Sequence, residues 1–138
     1  TYFPYSQDAI ENGINADIAV SFDVIEHLKD SCGFLREIYC ILKPGGHLFL
    51  SMPSSHDFLR TVSRETFDPF FYQTAHLNYF YSESVEYLFA QTKFENVIID
   101  YLHKYNLDNL IQWVKHGKPG STSLRQNLDR SFDTISEE

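Results

Sequence analysis

The 138-residue chain is poor in several things at once. It has two cysteines, Cys32 and Cys40. If both lie on one helix, eight residues separate them by about 12 Å at ~1.5 Å per residue, too far for a disulfide. Two free thiols suit a reducing compartment, and the chain reads as cytosolic. No apolar run nears the ~18 residues of a membrane span, and no signal peptide is visible, so the membrane is not an expected partner. Basic residues number 11 against 19 acidic ones, for a net charge of -8. Such a surface repels phosphates, which argues against nucleic acid. Six glycines are present, and no G-x-G occurs among them. Gly45-Gly46 follows a helical pattern rather than a strand, so it is not a phosphate- or cofactor-wrapping loop of the usual kind. No Cys/His/Asp set has metal-ligand spacing. Glu26 and His27 are adjacent and so are expected to point to different sides, and no metal is expected.

What is present is an alternation of strand and helix patterns. Asp17–Phe22 (DIAVSF) is short and apolar, the pattern of a strand buried on both faces in a parallel sheet. Asp30-Ser31 is a helix start. Phe34, Leu35, Ile38, Ile41 and Leu42 then recur at helical spacing. Lys43-Pro44-Gly45-Gly46 ends that helix, and His47–Met52 (HLFLSM) is a second buried strand. Strand, helix, turn and strand make a βαβ unit. The stretch from Pro53 to Asn78 has no clean period and reads as a long aromatic loop, the kind of segment that often carries function. Ser82 caps a further helix with Val85, Leu88 and Phe89 inward. Phe94–Leu102 reads as a third strand, and Asn106–His116 as another helix broken at Gly117. The polar stretch 121–138 is a helix or tail after a domain spanning 1–120.

The ordered pieces "FDVIEHL", "FLREIYCILKPGG", "HLFLSMPS" and "AHLNYFYSES" resemble the second half of a class I S-adenosylmethionine-dependent methyltransferase, in the subgroup acting on small molecules and sugars. The resemblance covers about residues 16–103. It implies an α/β, Rossmann-like sheet in three α/β/α layers, and a chain lacking that sheet's first strands, with their glycine loop and ribose-binding acid. The third strand would run antiparallel. The resemblance further implies S-adenosylmethionine as cofactor and a small-molecule acceptor. It puts Phe22, Asp23 and Val24 beside the methionine end of the cofactor, and Asp8 at the adenine. By itself the chain is then expected to bind the cofactor too weakly for calorimetry and to be inactive, and its raw sheet edge to pair with a second copy or to make the chain poorly soluble.

Ligands in open α/β sheets bind outside the carboxyl ends of the strands. Phe22–His27 is such an end, and the resemblance implies that Glu26 and His27 there face the acceptor, as candidate catalytic residues. They read equally as a polar exit from the core. His76 is a second candidate base, in a segment that sets His76, Asn78 and Phe80 on one side; it reads also as a loop histidine satisfied by backbone. Tyr72, Tyr79 and Tyr81 either shape a pocket or fill core. A methyltransferase and a non-catalytic relative that keeps the fold without the cofactor are both compatible with these features. A different nucleotide-binding Rossmann enzyme fits the order of the pieces less well.

Overall fold

A computed structural model describes residues 6–103 and 105–120. The polar stretch 121–138 lies outside the described residues. Two compact units divide the chain: residues 6–55 with 74–99, and residues 56–73 with 100–120.

The first unit holds the βαβ element. Helix α1, Ser6–Glu11, lies against α2 and buries Ala9. Strand β1 spans Ala16–Phe22, α2 Ser31–Ile41 and β2 Leu42–Ser51. The helix starts where the sequence predicts. Asp30 Oδ1 accepts the Gly33 N–H at 2.7 Å, satisfying one of the donors a helix start leaves open. Leu35 and Ile38 form its buried stripe. Both cysteines lie on α2, and both are free.

β1 and β2 pair in parallel, Ile18 beside His47 and Phe22 beside Ser51. The PGG segment is not a turn before β2 but an irregularity within it. Ala16 pairs with Leu42 and Ile18 with His47, so the extra residues of β2 loop out there. Gly45 makes this possible at φ 79, a region that costs other residues. Lys43 Nζ reaches back 2.9 Å to Asp17.

Two strand expectations are corrected. β1 is not buried on both faces: Ile18 and Val20 are each 57% exposed and Phe22 62%. Among the described residues β1 has one neighbour, β2, which leaves its other edge open. Phe94–Leu102 is not a strand of this sheet. Asn96 sits at φ 56, which breaks an extended run, and Ile98 and Leu102 face solvent. Without a ladder partner its β-branched residues have no pleated surface to pack on. Phe94 instead joins the core as a single side chain.

That core centres on Ile25, Leu35 and Phe80, with Leu48, Leu50, Val85, Leu88 and Phe89 packed around it. The inward set expected for α5, Ser82–Ala90, therefore holds. Its start lies one residue earlier than expected: Ser84 Oγ accepts the Tyr81 N–H at 2.9 Å, while the Ser82 hydroxyl turns to Glu83.

The second unit replaces most of the expected aromatic loop with helices. These are α3 (Phe58–Val62), α4 (Arg64–Phe71) and, later in the chain, α6 (Leu107–His116). Asp57 caps α3 through the Leu59 N–H. Arg60 Nε lies 2.7 Å from Asp68 and its guanidinium 2.8 Å from the Tyr72 hydroxyl. Trp113 of α6 is buried edge-on against Phe67, centroids 5.0 Å apart. The aromatics from Phe67 to Tyr72 thus serve packing here, and they hid a helical pattern because capping and ion pairing define it more than hydrophobic period does.

Candidate functional site

The site forms in the first unit, at the carboxyl end of β1. Asp23 leaves the strand at φ 53. Aspartate tolerates this left-handed conformation better than most side chains. The Asp23 N–H donates to the Ser51 carbonyl at 3.0 Å, and the Ser51 hydroxyl donates to Asp23 Oδ1 at 3.4 Å. The ends of the two parallel strands are therefore tied together, and the chain swings into a 3₁₀ turn, Ile25–His27. Ile25 anchors that turn in the core. Phe22 and Val24 stay exposed at the end of an open apolar groove of about 460 Å³, lined along β1 and α2 by residues such as Ile18, Val20, Phe34 and Ile38.

The 3₁₀ turn changes the reading of Glu26 and His27. In a strand, neighbours point to opposite faces. In this turn they do not, and His27 Nε2 lies 3.8 Å from Glu26 Oε1. The Glu26 side chain is 2% exposed and that of His27 40%. His27 Nδ1 lies 2.8 Å from the Ala75 carbonyl. A carbonyl can only accept, so Nδ1 carries a proton and donates it there, leaving Nε2 turned to the Glu26 side.

His76 completes the group. The Leu77 and Asn78 N–H groups both donate to the Glu26 carbonyl, at 2.8 and 3.0 Å. Asn78 Nδ2 donates to the Leu28 carbonyl at 2.6 Å. These bonds lock the 75–78 segment onto the 3₁₀ turn. The rings of His27 and His76 stand 4.8 Å apart, edge to face, and Tyr79 packs 5.8 Å from His76. His76, Asn78 and Phe80 lie deeper than exposed Leu77 and Tyr81, the alternation expected of an extended segment. One potential ligand atom from each of Glu26, His27 and His76 lies within 4.8 Å of the other two. Glu26 Oε2 and His76 Nδ1 are buried and, among the described residues, make no hydrogen bond.

Of the residues singled out from sequence, then, Glu26, His27 and His76 converge, and Phe22, Asp23 and Val24 lead into them. Asp8 sits half-buried in the first turn of α1, its carbonyl accepting from Asn12. Tyr72 belongs to the second unit, on Arg60. The part of the site that sequence reasoning missed is its bracing, Ser51 on Asp23 and Asn78 on Leu28. The H-x-N spacing at 76–78 was the available signal for the second: one face of an extended segment carries both a functional side chain and its clamp. Among the described residues no helix is long and apolar enough to cross a membrane.

A family model described as a methyltransferase domain matches residues 2–98. A stretch of 40 residues is 42% identical to a probable S-adenosylmethionine-dependent methyltransferase of Mycolicibacterium smegmatis, covering 29% of this chain and 16% of that relative. The chain thus spans a small part of the length of the curated relative it matches. No solved structure matches.

Proposed function

The chain belongs to the methyltransferase domain family, and on that footing we propose that it is an S-adenosylmethionine-dependent methyltransferase acting on a small-molecule acceptor. The observation that carries this reading is the left-handed exit of β1 at Asp23, which leads from an exposed apolar wall directly into a Glu-His-His cluster built on buried Glu26. Backbone strain of this kind is characteristic of functional sites.

Phe22 and Val24 suit the carbon skeleton of the cofactor, and the groove beside them falls within the usual ~300–1,000 Å³ of ligand sites. Asp23 sets their direction through its bonds to Ser51. Asp8 is assigned to the adenine amino group. When bound, S-adenosylmethionine supplies a methyl group already activated on a sulfonium. The protein's work is alignment and exclusion of water. Glu26, His27 and His76 face the acceptor, hold its nucleophilic group and stabilise its loss of a proton. The net charge of -8 leaves a small metabolite, rather than a nucleic acid, as the acceptor. A non-catalytic relative would have no need of a buried carboxylate oxygen without a partner, which costs stability.

Amide chemical shifts of the isotopically labelled chain, titrated with S-adenosylhomocysteine to millimolar concentration, test this. Shifts clustering at Phe22–His27 support the reading. Shifts confined to other segments, or none, contradict it.

A further inference from the structure

Glu26, His27 and His76 form a donor set that a methyl transfer by itself does not require. Two imidazoles and a carboxylate offer one atom each inside a 4.8 Å sphere of mutual separation. We infer that these three residues bind a first-row divalent cation of the zinc type and that the cation, resting on the acceptor-side role given above, receives a hydroxyl-bearing acceptor.

Three independent features support the site. The first is the pair of buried atoms without partners, Glu26 Oε2 and His76 Nδ1. The glutamate side chain is almost fully buried, and among the described residues its carboxylate faces His27 at 3.8 Å and has no Lys or Arg ion pair. A buried carboxylate needs a compensating charge, and a metal ion is one. The second is the tautomer of His27. Its Nδ1–H is held by the Ala75 carbonyl, which places Nε2, the ring's other potential ligand atom, 3.8 Å from Glu26. Metal-ligating histidines are typically oriented in this way, by a carbonyl or carboxylate on the other ring nitrogen. The third is the clamp. Two backbone bonds from residues 77 and 78 to the Glu26 carbonyl, and Asn78 on Leu28, fix segments about fifty residues apart in the chain.

The donor chemistry selects the ion. Magnesium and calcium take mainly oxygen ligands, whereas imidazole suits zinc and its neighbours. Two histidines, a glutamate and an open fourth position is a known catalytic zinc set. Ligand atoms at ~2.0–2.2 Å from a tetrahedral ion stand about 3.4 Å from one another. The 3.8 Å separation of His27 from Glu26 nearly meets that value. The wider separations, all within 4.8 Å, would need about an ångström of side-chain movement to reach that value.

A cation here selects the acceptor class. It lowers the pKa of a bound hydroxyl, as it does of water. The hydroxyl proton then leaves to solvent. The oxygen lone pair forms the new O–C bond as the S–C bond breaks, and that electron pair returns to sulfur as a neutral thioether. The geometry thus points to O-methylation.

The test is a zinc titration of the untagged, chelator-treated full chain by calorimetry, repeated with cobalt and read by visible absorption. One equivalent is expected to bind with a tetrahedral cobalt spectrum. His27→Ala, His76→Ala and Glu26→Gln should each weaken zinc about 100-fold or more, beyond the ~10–100-fold typical of outer-sphere residues. His47→Ala, on exposed β2, should not. Circular dichroism identifies any variant that fails to fold. His76→Gln, at the half-exposed position, then stands in with the same expectation. Absence of stoichiometric zinc, or zinc binding indifferent to all three substitutions, overturns the inference. Zinc binding without S-adenosylhomocysteine shifts upholds the cation site and removes the methyltransferase reading. The reverse result removes the cation alone.

Discussion

Replacing Asn78 tests how the site is braced. Its side-chain amide donates 2.6 Å to the Leu28 carbonyl, and a longer 3.4 Å contact reaches the Ser31 hydroxyl. Asn78→Ala removes a part-buried hydrogen bond, worth about 0.5–1.5 kcal/mol net, and leaves the Leu28 carbonyl short of a donor. That second loss brings the cost to about 1–3 kcal/mol. Asn78→Asp keeps the shape and exchanges the donor for an acceptor facing a carbonyl oxygen. If the donor is what matters, Asp should be no better than Ala, and worse where it is ionised. If Asn78 merely fills space, Asp should resemble the native chain. Urea unfolding followed by far-ultraviolet circular dichroism separates the cases, since the tryptophan lies in the other unit. Both variants should also weaken zinc by about 10–100-fold, as outer-sphere residues do. An Asn78→Asp chain as stable as the parent would refute the reasoning.

Other substitutions probe each unit separately. Leu35→Ala opens a cavity at a fully buried position and should cost about 2–5 kcal/mol in the same urea experiment. In the second unit, Gly117 ends α6 at φ 61, and an added Cβ would stand 2.8 Å from Thr66 Cγ2. Gly117→Ala should therefore destabilise by about 1 kcal/mol or more, read from Trp113 fluorescence. The hydrogen bond from Arg60, seconded by Arg64, holds the Asp68 carboxyl below the ordinary carboxylate range. Its contribution is complete above the ordinary value of ~3.9 and is lost as pH falls through the lower native value. Asp68→Asn should lower stability at neutral pH and flatten that stretch of the acid-unfolding curve. An unchanged acid limb would show that the pair does nothing for folding.

The βαβ unit was legible because two signals agreed, a Val/Ile/Ala run and a helical stripe with an acidic cap, while the Pro-Gly-Gly segment, read as a turn before β2, lies inside it. Phe94–Leu102 carried an equally good strand pattern and is not a strand. Its β-branched residues report fitness for a pleated surface, and whether a neighbour is there to pair with is a non-local fact. The helices α3 and α4 were hidden for the opposite reason, since their definition rests on Asp57 and on the Arg60–Asp68 pair rather than on period. At the site, Glu26, His27 and His76 were each visible as chemistry. Their convergence was not, because it depends on a 3₁₀ turn at Ile25–His27 and on hydrogen bonds joining residues 26 and 77. Alternation along a strand gave the wrong geometry for Glu26 and His27 because the strand ends at Phe22 and Asp23 turns the chain away.

We propose that the methyl donor meets its acceptor at the carboxyl end of β1. Ultraviolet cross-linking of S-adenosylmethionine labelled in its methyl group, followed by peptide mapping, addresses it most directly. The label should fall within Phe22–Leu28 and be competed away by S-adenosylhomocysteine. Label confined to the helices of the second unit, or label that the competitor does not displace, would contradict the account.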